Sequence, residues 1–447
     1  MTIRREWTRS SRSLLPSASG HRDPRRGAPR GRLRPAVFAA GAVFVLVGGC
    51  LSAPPDPARE RFSSSGLEEV TSTLQAAVDR GDLGGIVTLI FHDGEVAQVD
   101  AVGVQDPDAR TPMARDSIFR IASMTKPITA VATLILVDEG KIALDDRVDR
   151  WLPELAHPKV LSDPSAPLHS GTPSPRPIRV IDLLTHRSGI VTPRDAPGPL
   201  RDALTEADAN NSAGYDRWIG WIGELPLAHV PGSTYTYGNS FDVLGILVER
   251  VSGMKYPDFL RERIFEPLGM KDTAFRVPPE KRARFARLQS LGRVPASWIP
   301  SEETVPGFPA GAGGLYSTVD DYLAFARMLF NRGELGGVRI LAPETVDAMT
   351  TDHLTAEQRK GEPFAGHRGF WNGQGFGLGV AVKLSPTVHA SELGMASVGS
   401  FGWPGVFGTW WQADRAKDLI LVFMVPGGDA DATRWAFQKA VYDAIER

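Results

Sequence analysis

The run Phe119-Arg-Ile-Ala-Ser123-Met-Thr-Lys126-Pro-Ile-Thr-Ala-Val-Ala-Thr-Leu-Ile-Leu-Val-Asp-Glu-Gly140 decides how the rest of the chain is read. Ile128, Val131, Ala132 and Ile135 recur at helical spacing, Pro127 suits a first helical turn and Gly140 a stop, so a buried helix is predicted. Ser123 and Lys126 then stand at i and i+3 on one face at its start. There an amine reaches a hydroxyl, as a nucleophile and its base require. The pattern is S-x-x-K.

A second match, Ser252-Gly-Met-Lys255, follows the amphipathic positions Phe241, Leu244, Val248 and Val251, and Gly253 ends that run. It reads as a solvated helix-exit turn. Context therefore selects Ser123.

The first 35 residues hold ten Arg against one Asp and one Glu, and the apolar run Ala36 to Val47 follows, ending at Gly48-Gly-Cys50. A basic flank, an apolar stretch too short to span a bilayer and a small-residue end read as an export signal. Val47-Gly-Gly-Cys50 resembles the lipobox of bacterial lipoproteins, which implies an acylated Cys50, a membrane anchor and an exported, periplasmic or cell-envelope location. Residues 51–65, rich in Pro and Ser, read as a tether. Beyond residue 50 the chain carries 40 basic and 50 acidic residues, a formal charge of −10, which excludes nucleic-acid binding by bulk charge. Cys50 is the only cysteine, so no intramolecular disulfide can form and stability must come from the core.

In the body, Leu67 to Val78 has helical periodicity, and the apolar runs Ile86 to Phe91 and Val96 to Val102 flank Asp93-Gly94, a tight hairpin turn. Residues 150–305 read as a mainly helical lobe inserted into a sheet domain, with Leu183-Leu-Thr-His186-Arg-Ser-Gly189 as a helix end and turn. His186 is either a turn-capping or a functional residue. Gly311-Ala-Gly-Gly314 lacks the preceding strand and the Lys-Ser/Thr ending of a phosphate loop, so it reads as backbone turns beside a cleft. A helix follows it, with a capping-box-like start at Ser317 and Asp320. Strands are expected at 376–384, 408–413 and 419–425, then a final helix bearing Phe437 and Val441. The sheet is thus built from both chain ends.

Two further stretches carry chemistry. Pro231-Gly-Ser-Thr-Tyr-Thr-Tyr237-Gly-Asn239 reads as an extended segment that projects Tyr237 and Asn239 to one side. A phenol there can relay a proton, and an amide carbonyl can hold the Lys126 amine. Phe401-Gly-Trp403-Pro-Gly405-Val406 precedes a strand, where its glycines admit a substrate and a following N–H faces a developing oxyanion.

In order, S-x-x-K at 123, Y-x-N at 237 and W-x-G at 403 resemble the three motifs of the serine β-lactamase and penicillin-binding protein superfamily, closest to class C β-lactamases and family VIII carboxylesterases. Leu184 to Gly189, Glu266-Pro-Leu-Gly-Met270 and Gly313 to Asp321 resemble its landmarks. The resemblance implies an α+β, transpeptidase-like fold over residues 66–447, with an antiparallel sheet flanked by helices plus the helical lobe. It implies Ser123 as nucleophile, Lys126 as base, Tyr237 as acid-base partner, Asn239 as positioning amide and the N–H groups of Ser123 and Val406 as oxyanion hole. It implies no metal and no cofactor. The departure is Trp403, which stands where β-lactamases and transpeptidases carry a Lys that holds a substrate carboxylate. An aromatic wall there, with Gly405 beside it, suits a neutral small-molecule ester. β-Lactamase, D-Ala-D-Ala carboxypeptidase and acyltransferase activities are the alternatives, and a non-catalytic surface lipoprotein the alternative of another class. No Ser has Gly at both −2 and +2, which excludes the α/β-hydrolase elbow, and no H-x-H-x-D cluster supports a metallo-enzyme.

Overall fold

The computed structural model describes residues 61–163, 165–196, 198–209, 214–289, 308–360, 369–386 and 392–446. The expected export signal, Cys50, residues 51–60 of the tether and residues 290–305 of the lobe lie outside them. No helix of the described residues is long and apolar enough to cross a membrane.

Helix α1 (Ser64–Asp79) begins where the Ser63 hydroxyl accepts the Gly66 N–H at 3.0 Å. It leads into β1 (Gly85–His92) and β2 (Glu95–Asp106), joined at Asp93 and Gly94, both with positive φ as a two-residue primed turn requires. After β3 (Thr111–Pro112), a short β4 (Phe119–Arg120) carries the chain to α2 (Thr125–Asp138). Helices α3 (Val180–Leu184), α4 (Gly198–Ala209), α5 (Tyr215–Glu224), α6 (Ser240–Ser252) and α7 (Tyr256–Leu260) follow. A two-residue β5 (Tyr316–Ser317) pairs with β4 and precedes α8 (Val319–Phe330). The chain then forms β6 (Gln374–Phe376), β7 (Ala381–Lys383), β8 (Phe401–Pro404), β9 (Trp410–Asp414), β10 (Leu419–Met424) and α9 (Asp431–Ala444).

The main sheet has eight strands in the order β6-β7-β8-β9-β10-β1-β2-β3, every neighbouring pair antiparallel. This is the β-lactamase/transpeptidase-like architecture that the sequence motifs implied. All eight residues of β1 are buried, because its two faces belong to two cores. Ile86 and Ile90, with Leu419, Leu421 and Phe423 of β10, pack with Val70 and Leu74 of α1 and Phe437 and Val441 of α9. Val87, Leu89 and Phe91, with Ile420, Val422 and Met424, face α2, α6 and α8. The strand period of two sends alternate side chains to opposite layers, and covering both layers removes any need for a polar face.

Helix α2 lies in the middle of the larger core. Residues 125–136 are all buried, so its apolar character runs around the whole helix rather than along a stripe.

Several sequence expectations shift here. The strand expected at 376–384 is a hairpin, because Gly379 has φ +86° and a Cβ at Gly377 would lie 2.1 Å from the Met349 carbonyl oxygen, so the chain turns there. The Phe401–Pro404 stretch is itself a strand rather than the approach to one, with Trp403 opposite Trp411. Helix α8 is capped by Thr318, whose side chain accepts the Asp321 N–H at 3.2 Å, one residue later than expected, while the Ser317 hydroxyl bonds Thr273 instead.

Candidate active site

The floor of the site is the junction between a short 3-10 turn, Ala122–Met124, and α2. Ala122 has φ +43°, a conformation costly to a residue with a Cβ, and it is held there by contact with Phe407 and by the sheet above it. Strain immediately before Ser123 turns that residue out of the core while Lys126, one helical turn on, stays only 2% exposed.

Two side chains converge on the Ser123 hydroxyl. Lys126 Nζ donates to Ser123 Oγ at 3.1 Å, and the Tyr237 hydroxyl donates to the same oxygen at 2.7 Å. Lys126 Nζ also lies 4.5 Å from the centroid of the Tyr237 ring. Its other hydrogen bond, 2.7 Å, goes to the Ala312 carbonyl in the glycine-rich turn, which is therefore part of the site.

Tyr237 is placed by the turn after α3. The Gly232 N–H donates to Arg187 O at 2.6 Å and the Thr236 N–H to His186 O at 2.9 Å, while the buried Gly238 N–H donates to His186 Nδ1 at 3.3 Å. The His186 ring lies under the phenol with centroids 4.6 Å apart. Burial first, then the charge of Lys126, holds His186 well below the usual imidazole pKa, so it stays neutral. Its φ of +52° is the turn conformation expected of this stretch.

Asn239 is a correction. It is not on an extended segment beside Tyr237, because it is the N-cap residue of α6 with φ −78° and ψ 15°. That bend turns its amide to Asp208 of α4, to which Nδ2 donates at 3.4 Å, and the Lys126 amine is held by Ala312 instead.

The third motif forms β8 and the turn after it. Trp403 is 2% exposed, stacked against Tyr237 and edge-on to Phe376 and Phe370. A Cβ at Gly405 would lie 2.5 Å from the Ile121 carbonyl oxygen, so only glycine lets the turn close onto the residue two before Ser123. The Gly405 N–H is spent on Thr409 O at 2.7 Å. Among the described residues no backbone hydrogen bond takes the N–H of the following Val406, which is 44% exposed at the rim.

Ser252 and Lys255 are elsewhere. Ser252 ends α6, Gly253 has φ +73°, and Lys255 is an exposed partner of Glu249 at 2.7 Å. Among the described residues no group of His, Cys, Asp and Glu is gathered as a metal would need. What sequence reasoning missed were Ala312, whose contribution is a carbonyl, and Asp242, whose Oδ1 accepts the Ala312 N–H at 3.0 Å. Only an acid in the first turn of a buried helix signalled the second.

The family model described as Beta-lactamase matches residues 70–442. Protein Rv1367c of Mycobacterium tuberculosis (strain ATCC 25618 / H37Rv) is 42% identical over 363 residues, 80% of this chain and 90% of that protein. Esterase EstB of Burkholderia gladioli is 31% identical over 393 residues, 83% of this chain and 93% of EstB. Among solved structures, EstCE1, described as "a hydrolase with promiscuous acyltransferase activity", has a TM-score of 0.71 at 25% identity, covering 85% of this chain and 98% of its own. The match extends from α1 to α9 and takes in every element that surrounds Ser123. The chain belongs to the beta-lactamase family and shares the fold of its serine hydrolases.

Proposed function

We propose that the protein is a carboxylesterase acting on small neutral esters through an acyl-enzyme on Ser123. The observation that carries this reading is the convergence of Lys126 Nζ and Tyr237 Oη on Ser123 Oγ. Once Lys126 is uncharged, its contact with Ser123 runs the other way and the amine takes the hydroxyl proton as Oγ bonds to the ester carbon. The carbonyl oxygen becomes an oxyanion, received by the N–H groups of Ser123 and Val406. Collapse breaks the C–O bond to the leaving alcohol, which takes its proton from Tyr237 as the phenol recovers one from Lys126. Water then attacks the acyl carbon and gives a proton to the Tyr237-Lys126 pair, the bond from that carbon to Ser123 Oγ breaks, Oγ takes the proton back from the pair, and the acid leaves.

Preference for a neutral ester is supported by Trp403, which puts a buried indole among Phe370 and Phe376 where a carboxylate-binding Lys would stand. A charge-assisted hydrogen bond contributes about 1.5–3 kcal/mol, so its loss costs roughly tenfold to a hundredfold on a carboxylate-bearing β-lactam. The name of EstB supports the same reading. The description of EstCE1 favours one second reading, in which an alcohol replaces water as acyl acceptor.

The test is kcat/KM for p-nitrophenyl butyrate and for a chromogenic cephalosporin on wild type, Ser123→Ala and Ser252→Ala. Ester turnover should dominate, vanish in Ser123→Ala and persist in Ser252→Ala. Efficient cephalosporin hydrolysis with negligible ester turnover makes the protein a β-lactamase instead. For location, we propose an exported lipoprotein anchored through Cys50.

A further inference from the structure

We infer that Asp242 is a positioning residue of this site, fixing the Ala312 carbonyl on the Lys126 amine and coupling the charge of the base to a buried carboxyl pair behind it. This rests on the reading of Ser123 and Lys126 as nucleophile and base.

The glycine-rich turn is clamped from two sides. From α2, Thr129 Oγ1 donates to Gly311 O at 2.7 Å and Lys126 Nζ to Ala312 O at 2.7 Å, so two successive carbonyls are held by one helix face. From α6, Asp242 Oδ1 accepts the Ala312 N–H at 3.0 Å. A Cβ at Gly311 would lie 2.3 Å from the Phe241 carbonyl oxygen, so the turn presses directly on the first turn of α6. Asp242 is thus one residue away from Lys126 through hydrogen bonds, behind the Ala312 carbonyl that holds the amine. The motif is better written Tyr237-x-Asn239-x-x-Asp242.

Holding a backbone N–H does not call for a charge at a site 6% exposed, since an amide oxygen accepts equally well. The groups facing Asp242 show what the charge does. Lys126 acts on it from α2, Asp208 from α4, Tyr215 from α5 and Tyr256 from α7, with Glu249 further along α6, while His186 feels the charge of Lys126. Asp208 receives the Asn239 amide and the Trp218 indole N–H, each at 3.4 Å. Lys126 is the single cation of this set. Burial pushes Asp242 up to about 7 and Asp208 up to about 6, against which Lys126 pulls Asp242 down. Coupling is reciprocal, so the pull of Lys126 on an ionised Asp242 is matched by an equal pull of Asp242 on the Lys126 amine.

The experiment is the pH profile of kcat/KM for p-nitrophenyl butyrate on wild type, Asp242→Asn and Asp208→Asn, with folding checked by thermal unfolding. Asp242→Asn keeps the acceptor and removes the charge, so the acidic limb should move down by about one pH unit, the lower end of the effect of an opposite charge. Asp208→Asn leaves Asp242 ionisable and relieves it of a like charge, so the limb should stay or move up. Asp242→Ser removes the same charge in a smaller side chain and serves if the Asn variant does not accumulate. A folded Asp242→Asn or Asp242→Ser enzyme whose acidic limb coincides with wild type overturns the inference. So does an equal downward shift in Asp208→Asn. Wild-type turnover that survives Ser123→Ala overturns the underlying reading, a result separate from either.

Discussion

The indole of Trp403 stacks behind the phenol of Tyr237, ring centroids 6.0 Å apart and planes inclined by 28°. The phenol that donates to Ser123 is therefore backed by a side chain from the central sheet and, on another side, by His186.

Trp403→Ala should cost about 3–5 kcal/mol of stability, the usual penalty for emptying a large aromatic site in a core. Because the phenol then loses its backing, kcat should fall at least tenfold with a smaller change in KM. Urea unfolding and steady-state kinetics read the two effects separately. Trp403→Lys should also lose stability, since it buries an ammonium among Phe370 and Phe376.

His186→Phe keeps a ring under Tyr237 but leaves the Gly238 N–H without its acceptor, which should cost about 1–3 kcal/mol near neutral pH. The buried imidazole refuses a proton that the unfolded chain accepts at the ordinary imidazole value of 6.5. Its contribution is present above pH 6.5 and lost as pH falls below it, so the variant should lose less stability than wild type between pH 7 and pH 5. Identical losses in the two proteins would show that His186 is charged in the fold.

Asp208 gives the opposite slope. Its carboxyl is raised from 3.8 to about 6 by burial, so the protonated form stabilises the fold fully below pH 3.8, and that contribution is lost as pH rises through about 6. Asp208→Asn lacks this loss. Its stability relative to wild type should rise between pH 4 and pH 8, by as much as about 3 kcal/mol. Denaturant melts at the two pH values decide it, and a difference independent of pH would place a charged Asp208 in the native state at both.

Export and lipidation rest on the Val47-Gly-Gly-Cys50 run after a basic and apolar leader. Wild type expressed in a bacterial host should partition into the detergent phase and carry a labelled acyl chain, and Cys50→Ser should do neither. Recovery of unacylated wild-type protein from the aqueous phase would remove the anchor.

The helix that carries Lys126 was legible in the sequence because three local signals coincide there, an all-round apolar run, a Pro in the first turn and a Gly at the end. The decoy at Ser252 was legible for the same reason, since Gly253 marks its turn. Asn239 was not, because its direction depends on where α6 begins, and a two-residue alternation looks the same before a helix as within a strand. The Ala312 carbonyl could not be seen at all, because every residue has one and only tertiary contacts select it. Trp403 was legible as the departure from the third motif, but its burial between Tyr237 and Phe376 depends on β8 being a strand, which its Gly and Pro disguise.

The pairing of β10 with β1 sets Met424 opposite Val87 and Leu419 opposite His92, partners roughly 330 positions apart along the chain. A ribosome must have made nearly all of the protein before the middle of its sheet can form, and every earlier fragment exposes a β1 that is apolar on both faces. Contacts so distant in sequence make folding slow. Release of a premature product ending before β10 should therefore give aggregation rather than a smaller folded protein. Under the export proposed here the same delay is useful, since a body unable to fold during synthesis stays threadable until it has left the compartment in which it was made.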